Sequence, residues 1–527
     1  MDRDMRIRHG RRGLFLLALC VLSVAVRLYH FHAPLLDQLY VKQIYIANKA
    51  RNIAKAPQSL VWKSFDFLDA QGERMTLVEE VPLYTGLVGG CYYLLGEREW
   101  LGRAWNILAT LVAIAALNDL VRREFDPETA LIASFLFAIS PLTIFYGRAF
   151  SPDPWMLACI LLSSAFYRRY LDDGGGTQWL TAAVLGLLAA GFKYYGLMVL
   201  VPLADMAYRR GGWRAWFAPR FLGIVAVMIV PIAVWLFAVF LRYPNPSSQK
   251  PYFVLQNPRI LLHGRYILRL TLGLFINDIG PVTTALAAVG VWSAVVGREC
   301  ARALWGWTLM GLVFVVLLAP KFLDHDYYGL VCVPAAAGWG AVGARWIFGA
   351  IRRRRPVRVW RAAAVIGLVA LVQSPWVMGI KYEIESQHAI VAGRLDQLCT
   401  PSGRVVVVGQ VLGWGVVHYS RRLGWVEGWR ELPRDWRDTF RKHRAQGAEL
   451  VAVTFDPTVP PRVRETYRPL LEALSILEHK SGPWFRRNQQ CEYYILGLGN
   501  IDRVAGTQRP GQPERVTAST REASIRQ

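Results

Sequence analysis

Several things are scarce in this sequence. No glycine-rich loop of the Gly-x-Gly-x-x-Gly form follows a strand-like run, so a nucleotide cofactor or nucleotide-linked donor has no evident seat. Only 7 cysteines occur in 527 residues. Cys20, Cys91, Cys159, Cys300 and Cys332 lie in or beside apolar runs without metal-ligand spacing, and read as lipid-buried or core residues. The histidines form no His/Cys/Asp grouping with zinc-like spacing. Acids are few, 38 against 61 bases, which leaves a formal charge of +23. That excess does not mark nucleic-acid binding, because the bases gather at the ends of apolar runs, as they do in cytoplasmic loops of membrane proteins. No inverted repeat and no broken helix is visible, which argues against a transporter or flippase. No convincing small-residue cleavage site follows the basic-headed run 13–29, which therefore reads as a retained span and not a signal peptide.

What is present is apolar sequence in blocks. Hydrophobic residues make up 54% of the chain, with 20 Trp. Hydropathy and length predict spans near 13–29, 101–121, 130–145, 154–168, 178–192, 194–208, 221–241, 282–297, 304–319, 329–348 and 362–379. Arginine clusters fall at every second loop, which places those loops in the cytoplasm and the chain after residue 380 on the outer face. The expected fold is a polytopic α-helical membrane protein of about 11 spans over 1–379, with outer juxtamembrane helices. "RVVVVG" (404–409), "AELVAVTF" (448–455) and "CEYYILGL" (491–498) read as strands of a small α/β domain over 380–500. Residues 501–527 are polar and aperiodic, a disordered tail. Cys399 and Cys491 flank most of the α/β domain; two free thiols are the default, a disulfide the alternative.

Cations at outer helix ends run against the usual sidedness of charge and need a reason. Arg103, Arg148, Lys193 and Lys321 are such cations, and Asp37, Glu79, Glu80, Asp153, Asp324 and His325 are expected at the same level. Together they suggest a lined polar cavity at the membrane face. Asp37 heads "LLDQLYVKQIYIANKAR" (35–51), an amphipathic stretch suited to lie in the interface. An N-cap role for Asp37 is the plain alternative. Glu79 and Glu80 precede a second, Gly-broken helix, and a favourable charge at its N-terminus would be their plain role.

These pieces resemble the polyprenyl-phosphate-sugar-dependent glycosyltransferases of the GT-C fold, the protein O-mannosyltransferase and aminoarabinose-transferase group with its bacterial relatives. The matching stretches come in family order: "LLDQLYVKQIYIANKARNIA", "EEVPLYTGLVGGCYYLLGEREWLGR", "AISPLTIFYGRAFSPD", "AAGFKYYG", "DHDYYGLVCVPAAAG" and "VHYSRRLGWV". Gln38 stands where the family often has a second acid, and Val81-Pro82 where many members have Pro-Pro. The resemblance implies inverting transfer of a sugar, hexosyl or pentosyl, from a polyprenyl phosphate to a lipid, glycan or protein acceptor. The site would face the outer side of a bacterial inner membrane. It implies Asp37 as general base, Arg148, Lys193 and Arg103 at the donor phosphate, and Asp153 and Glu80 as further catalytic acids that orient the acceptor, position a base or bind a divalent metal. Tyr40, Gln43, Glu79, Tyr84, Lys321, His325, Tyr327 and Tyr328 would line the rest of the cavity. No cofactor is certain. A lipid-linked glycan polymerase or ligase is the nearest alternative enzyme. The chemistry suits these residue types: a lipid phosphate leaves readily, so the site needs a base for the acceptor hydroxyl and cations for the phosphate.

Overall fold

The computed structural model describes residues 2–503 apart from 62–63, 77–79, 243–253, 255–256, 298–301, 355–363, 366, 370, 373–378, 410–412, 430, 456, 458 and 484–488. Most of the expected span 362–379, and the expected tail 501–527 beyond Arg503, lie outside the described residues; residues 501–503 are not disordered but close a 3-10 turn, Leu498–Arg503, with Ile501 buried. Three described helices are long and apolar enough to cross a membrane: Trp100–Glu124, Pro219–Leu241 and Asp326–Arg353. Gly264–Ile279 and Pro281–Gly297 pass the same test as a pair bent by 110°. The shorter apolar helices are Gly13–Arg27, Leu83–Leu95, Pro127–Ile139, Gly176–Phe192 and Arg302–Leu317.

The expected lack of broken helices does not hold. The run 130–145 forms two helices, Pro127–Ile139 and Pro141–Tyr146. Ser140 is extended there (ψ 133) because it precedes Pro141, whose ring disfavours a helical residue before it. The first of these helices starts sharply: the Asp126 carboxylate accepts from the N–H groups of Glu128 at 2.9 Å and Thr129 at 3.1 Å. The run 194–208 is a 3-10 turn, Tyr194–Val199, followed by the helix Leu200–Gly211. Lys193 is extended ahead of it, at φ −161 and ψ 131. Glycine is required at 196, since a Cβ there would sit 2.2 Å from the Ala189 carbonyl carbon. This close return of the chain fixes the break at Lys193.

At the ends of these helices away from Lys193 and Asp153, ion pairs join neighbours. Asp119 pairs with Arg122, Arg123 and Arg169, and Glu124 with Arg168 and Arg209. Partly exposed pairs of this kind are worth little singly, but in a network they fix helix ends against one another.

A mixed sheet of seven strands runs in the order β2-β1-β4-β3-β5-β7-β6. Its strands are β1 (Ser64–Leu68), β2 (Arg74–Thr76), β3 (Arg404–Val408), β4 (Gly424–Glu427), β5 (Ala448–Phe455), β6 (Ser475–Gly482) and β7 (Cys491–Gly497). β1 lies parallel to β4, so the sheet is not contained in 380–500: it takes two strands from the segment between the helices Tyr40–Lys55 and Leu83–Leu95. Both faces of β3 are covered. Val405 and Val407 join a core with Phe65, Phe67 and Ile44, while Val406 and Val408 join one with Trp425, Phe440 and Val451. Burial on both sides explains an unbroken valine run in place of alternation. The first of these cores also contains Leu35, Leu36, Tyr40, Ala47 and Ala50, so the helix Tyr40–Lys55 is sealed between sheet and spans. Each fully buried Leu or Ile there contributes about 1.5–3 kcal/mol. Cys399 and Cys491 are both buried thiols, so the disulfide alternative is not realised; the Cys399 thiol donates to Glu449 at 3.3 Å.

Candidate active site

Asp37 sits in the turn before the helix Tyr40–Lys55 and is 3% exposed. It is not the helix cap. Leu39 occupies that position without a side-chain bond, and the Asp37 carbonyl, not its carboxylate, accepts the Tyr40 N–H at 2.8 Å. The carboxylate faces inward, accepting from Gln43 Nε2 at 2.5 Å and from Arg148 at 3.1 Å. Gln43 completes a bridge, because its Oε1 accepts the Phe150 N–H at 2.8 Å. Arg148 also donates to the His30 carbonyl at 3.3 Å and lies over the Tyr382 ring at 4.4 Å. A close approach places it: a Cβ at Gly147 would lie 2.3 Å from the Thr143 carbonyl oxygen. Arg148 therefore orients Asp37, where the sequence reading expected it at a phosphate.

The residue before Gln43 on the helix, Lys42, opens a second cluster. Lys42 and Lys193 bind the two oxygens of Asp153 at 2.6 and 2.7 Å, and the Ser151 hydroxyl donates to the same carboxylate. Asp153, expected as a catalytic acid, is thus fully engaged as the anchor of two lysines. Its place in the first turn of the helix Asp153–Asp173 also suits an anion. Both ammonium groups lie over the Tyr327 ring, at 3.9 Å for Lys42 and 4.3 Å for Lys193, and Lys193 is 5.0 Å from the Tyr328 ring centre. Glu80, half-buried, acts electrostatically on both lysines. Burial, helped by the neighbouring Lys193, pushes the Lys42 ammonium down to about 8 against the opposing pull of Asp153. Adjacent side chains, Lys42 and Gln43, therefore serve two clusters joined by the loop 148–153.

Other expected cavity residues have different duties. Arg103 donates to the carbonyls of His30, Phe31, Ala33 and Pro34, so it braces the chain before Asp37. The Tyr84 hydroxyl donates to the Gly102 carbonyl at 2.9 Å and accepts from Asn106, tying two helices together. Tyr40 packs against His388, with ring centres 5.0 Å apart. His325 is exposed and stacks on Tyr327 at 5.3 Å, while Lys321 lies within the short helix Ala319–Asp324. Glu79 lies outside the described residues. Among the described residues no three His, Cys, Asp or Glu side chains gather as a metal site.

Sequence reasoning missed Lys42 and a buried group beside Tyr327. Asp278 meets Arg269 at 2.5 Å and Lys381 at 3.5 Å; Lys381 also pairs with Asp326, which accepts from the Tyr146 hydroxyl. Lys381 had a signal, being a cation just past the last expected span on the outer side.

A family model described as dolichyl-phosphate-mannose-protein mannosyltransferase matches residues 80–238. Among solved structures, ArnT from Cupriavidus metallidurans bound to undecaprenyl phosphate is 15% identical, covers 93% of this chain and 99% of its own, and superposes with a TM-score of 0.59. The oligosaccharyltransferase AglB from Archaeoglobus fulgidus, in complex with an inhibitory peptide and a dolichol-phosphate, is 10% identical over 83% of this chain and 69% of its own (TM-score 0.52). The mycobacterial arabinofuranosyltransferase AftD is 15% identical over 92% of this chain and 40% of its own (TM-score 0.54). No curated protein matches by sequence. The chain has the GT-C fold.

Proposed function

We propose that this GT-C chain is a membrane glycosyltransferase that moves a sugar from a polyprenyl-phosphate carrier to a hydroxyl of a lipid, glycan or protein acceptor on the outer face of a bacterial inner membrane. The observation that carries this reading is one oriented carboxylate together with two lysines, Lys193 buried and Lys42 half-buried, on a shared aromatic ring. Asp37 takes the acceptor's proton as its oxygen attacks the anomeric carbon from the side opposite the phosphate. The bond to the phosphate oxygen breaks with its electron pair, and the configuration inverts. Lys42 and Lys193 neutralise the charge that grows on the leaving phosphate. Arg148 and Gln43 keep Asp37 in one rotamer. The lipid tail stays in the membrane, so the phosphate arrives at interface depth, where the helix Tyr40–Lys55 holds both Lys42 and the turn carrying Asp37.

Incubation of the purified chain in lipid vesicles with radiolabelled polyprenyl-phosphate sugars and total envelope lipids tests the reading. Label should pass to an acceptor with inverted anomeric configuration and release of polyprenyl phosphate. Label that only changes leaflet, with the donor intact, would make the chain a transporter. Retained configuration would remove the single-displacement chemistry assigned to Asp37.

A further inference from the structure

The turn that carries Asp37 is held largely from the far end of the chain. The Leu35 N–H donates to the Tyr419 hydroxyl at 2.7 Å. The Glu385 N–H donates to the Leu36 carbonyl at 3.0 Å, and the Gln38 N–H to the Lys381 carbonyl at 3.3 Å. None of these bonds belongs to a helix or strand. Leu35 and Leu36 are fully buried, so their main-chain groups depend on protein partners. Tyr419 lies in the helix Gly413–Ser420, which connects β3 to β4. That helix is pinned a second time: Arg51, on the helix after Asp37, donates to the His418 carbonyl at 2.8 Å.

We infer that the C-terminal sheet region positions the general base, with Tyr419 as a positioning residue that sets the turn 35–38 through the Leu35 N–H. The inference rests on the reading of Asp37 as the base. It assigns work to a segment, "VHYSRR" (417–422), that the chemistry at Asp37, Lys42 and Lys193 leaves unused. Lys193 reaches Asp153 from another element, and Lys42 stands on the helix after the turn, whose apolar residues pack against the sheet independently of Leu35, so a disturbed Leu35 should move the base more than the phosphate seat.

Tyr419→Phe keeps the ring and its burial but removes the oxygen that accepts from Leu35. In the full-length chain in vesicles, kcat should fall about tenfold while the donor KM changes by less than about twofold, since small misplacements near reacting atoms cost rate steeply. Hydrogen exchange in a peptide covering 33–40 should speed up in the same sample. Tyr493→Phe is the matched control: it removes a bond to Glu478 at 2.6 Å elsewhere in the sheet, and should leave kcat and exchange at 33–40 as in the parent. Parental kcat and exchange in Tyr419→Phe, or equal losses in Tyr493→Phe, would overturn the inference. Near-normal turnover in Asp37→Asn would instead remove Asp37 as the base, while the exchange result would still decide whether Tyr419 fixes the turn.

Discussion

Asp37→Asn is the most direct test of the proposed chemistry, and the structure changes how its outcome must be read. Asparagine keeps the size and one carbonyl oxygen, so it can accept from Gln43 or from Arg148. It cannot take a proton. General-base catalysis contributes about 10²–10⁴ in rate, or roughly 3–5 kcal/mol of barrier. The substitution also leaves Arg148, 1% exposed, without its carboxylate. A charge-assisted bond lost there costs about 1.5–3 kcal/mol, and breaking a buried pair as much as about 3–5 kcal/mol. The Asn variant should thus be both slower and less stable. Asp37→Glu separates the two effects. It keeps the negative charge beside Arg148, so thermal stability should stay close to the parent, yet the carboxylate is displaced by about one bond and the rate should still fall about 10²-fold. The assay is single-turnover transfer from saturating donor, with the folded fraction measured by size exclusion after detergent extraction. Turnover within about threefold of the parent in folded Asp37→Asn would refute the base assignment.

Lys193→Met removes one of the two cations held by Asp153, so donor KM should rise by about tenfold or more with the chain still folded. Unchanged donor affinity would return Lys193 to a structural role. Arg103→Lys offers a single ammonium where a guanidinium meets four carbonyls, and should lower thermal stability by about 1–3 kcal/mol while leaving donor KM nearly unchanged. A raised donor KM in that variant would restore Arg103 to the phosphate. Lys42 predicts a pH effect: kcat/KM for the donor should fall as pH rises through about 8.

The order of apolar blocks and the sidedness of charge made the membrane class and fold legible, because both follow from solvation of long segments. Helix breaks were less visible. Pro141 marked one plainly, but the break at Lys193 depends on Gly196 packing against Ala189, a contact between neighbouring turns. The strand Ser64–Leu68 alternates Ser, Phe, Asp and Phe, a period-two signal within the long outer segment ahead of the span at 101–121, and its partner β4 lies more than 350 residues away. Asp37, Asp153 and Lys193 could be found because each sits at a helix end with the wrong sidedness or chemistry for its place. Lys42 could not. A wheel drawn over 40–55 gives the helix one apolar face, but Gln43, Asn48, Lys49, Arg51 and Asn52 are buried too. A helix buried well beyond its apolar face hides which of its polar residues face the chemistry.

Lys42 stands beside Asp153 and Lys193 and within electrostatic reach of Glu80, so it is sensitive to any further charge that binds. Burial and Lys193 push its ammonium down to about 8. A sugar phosphodiester brings one negative charge, and the released phosphate monoester carries about 1.5–2 at neutral pH. Each stage places more negative charge beside the lysine and favours its protonated form. The effect of pH should therefore divide between the kinetic constants. The parameter kcat/KM reports the free enzyme, and should bend downward as Lys42 loses its proton above pH about 8. The parameter kcat reports the donor-bound enzyme, and should stay level to a higher pH. Lys42→Arg, which keeps its charge at any of these pH values, should flatten the bend in kcat/KM whatever it does to the absolute rate. If kcat and kcat/KM bend together, or if the Arg variant bends as the parent does, the titrating group is not Lys42 and the phosphate seat must be sought on Lys193 alone.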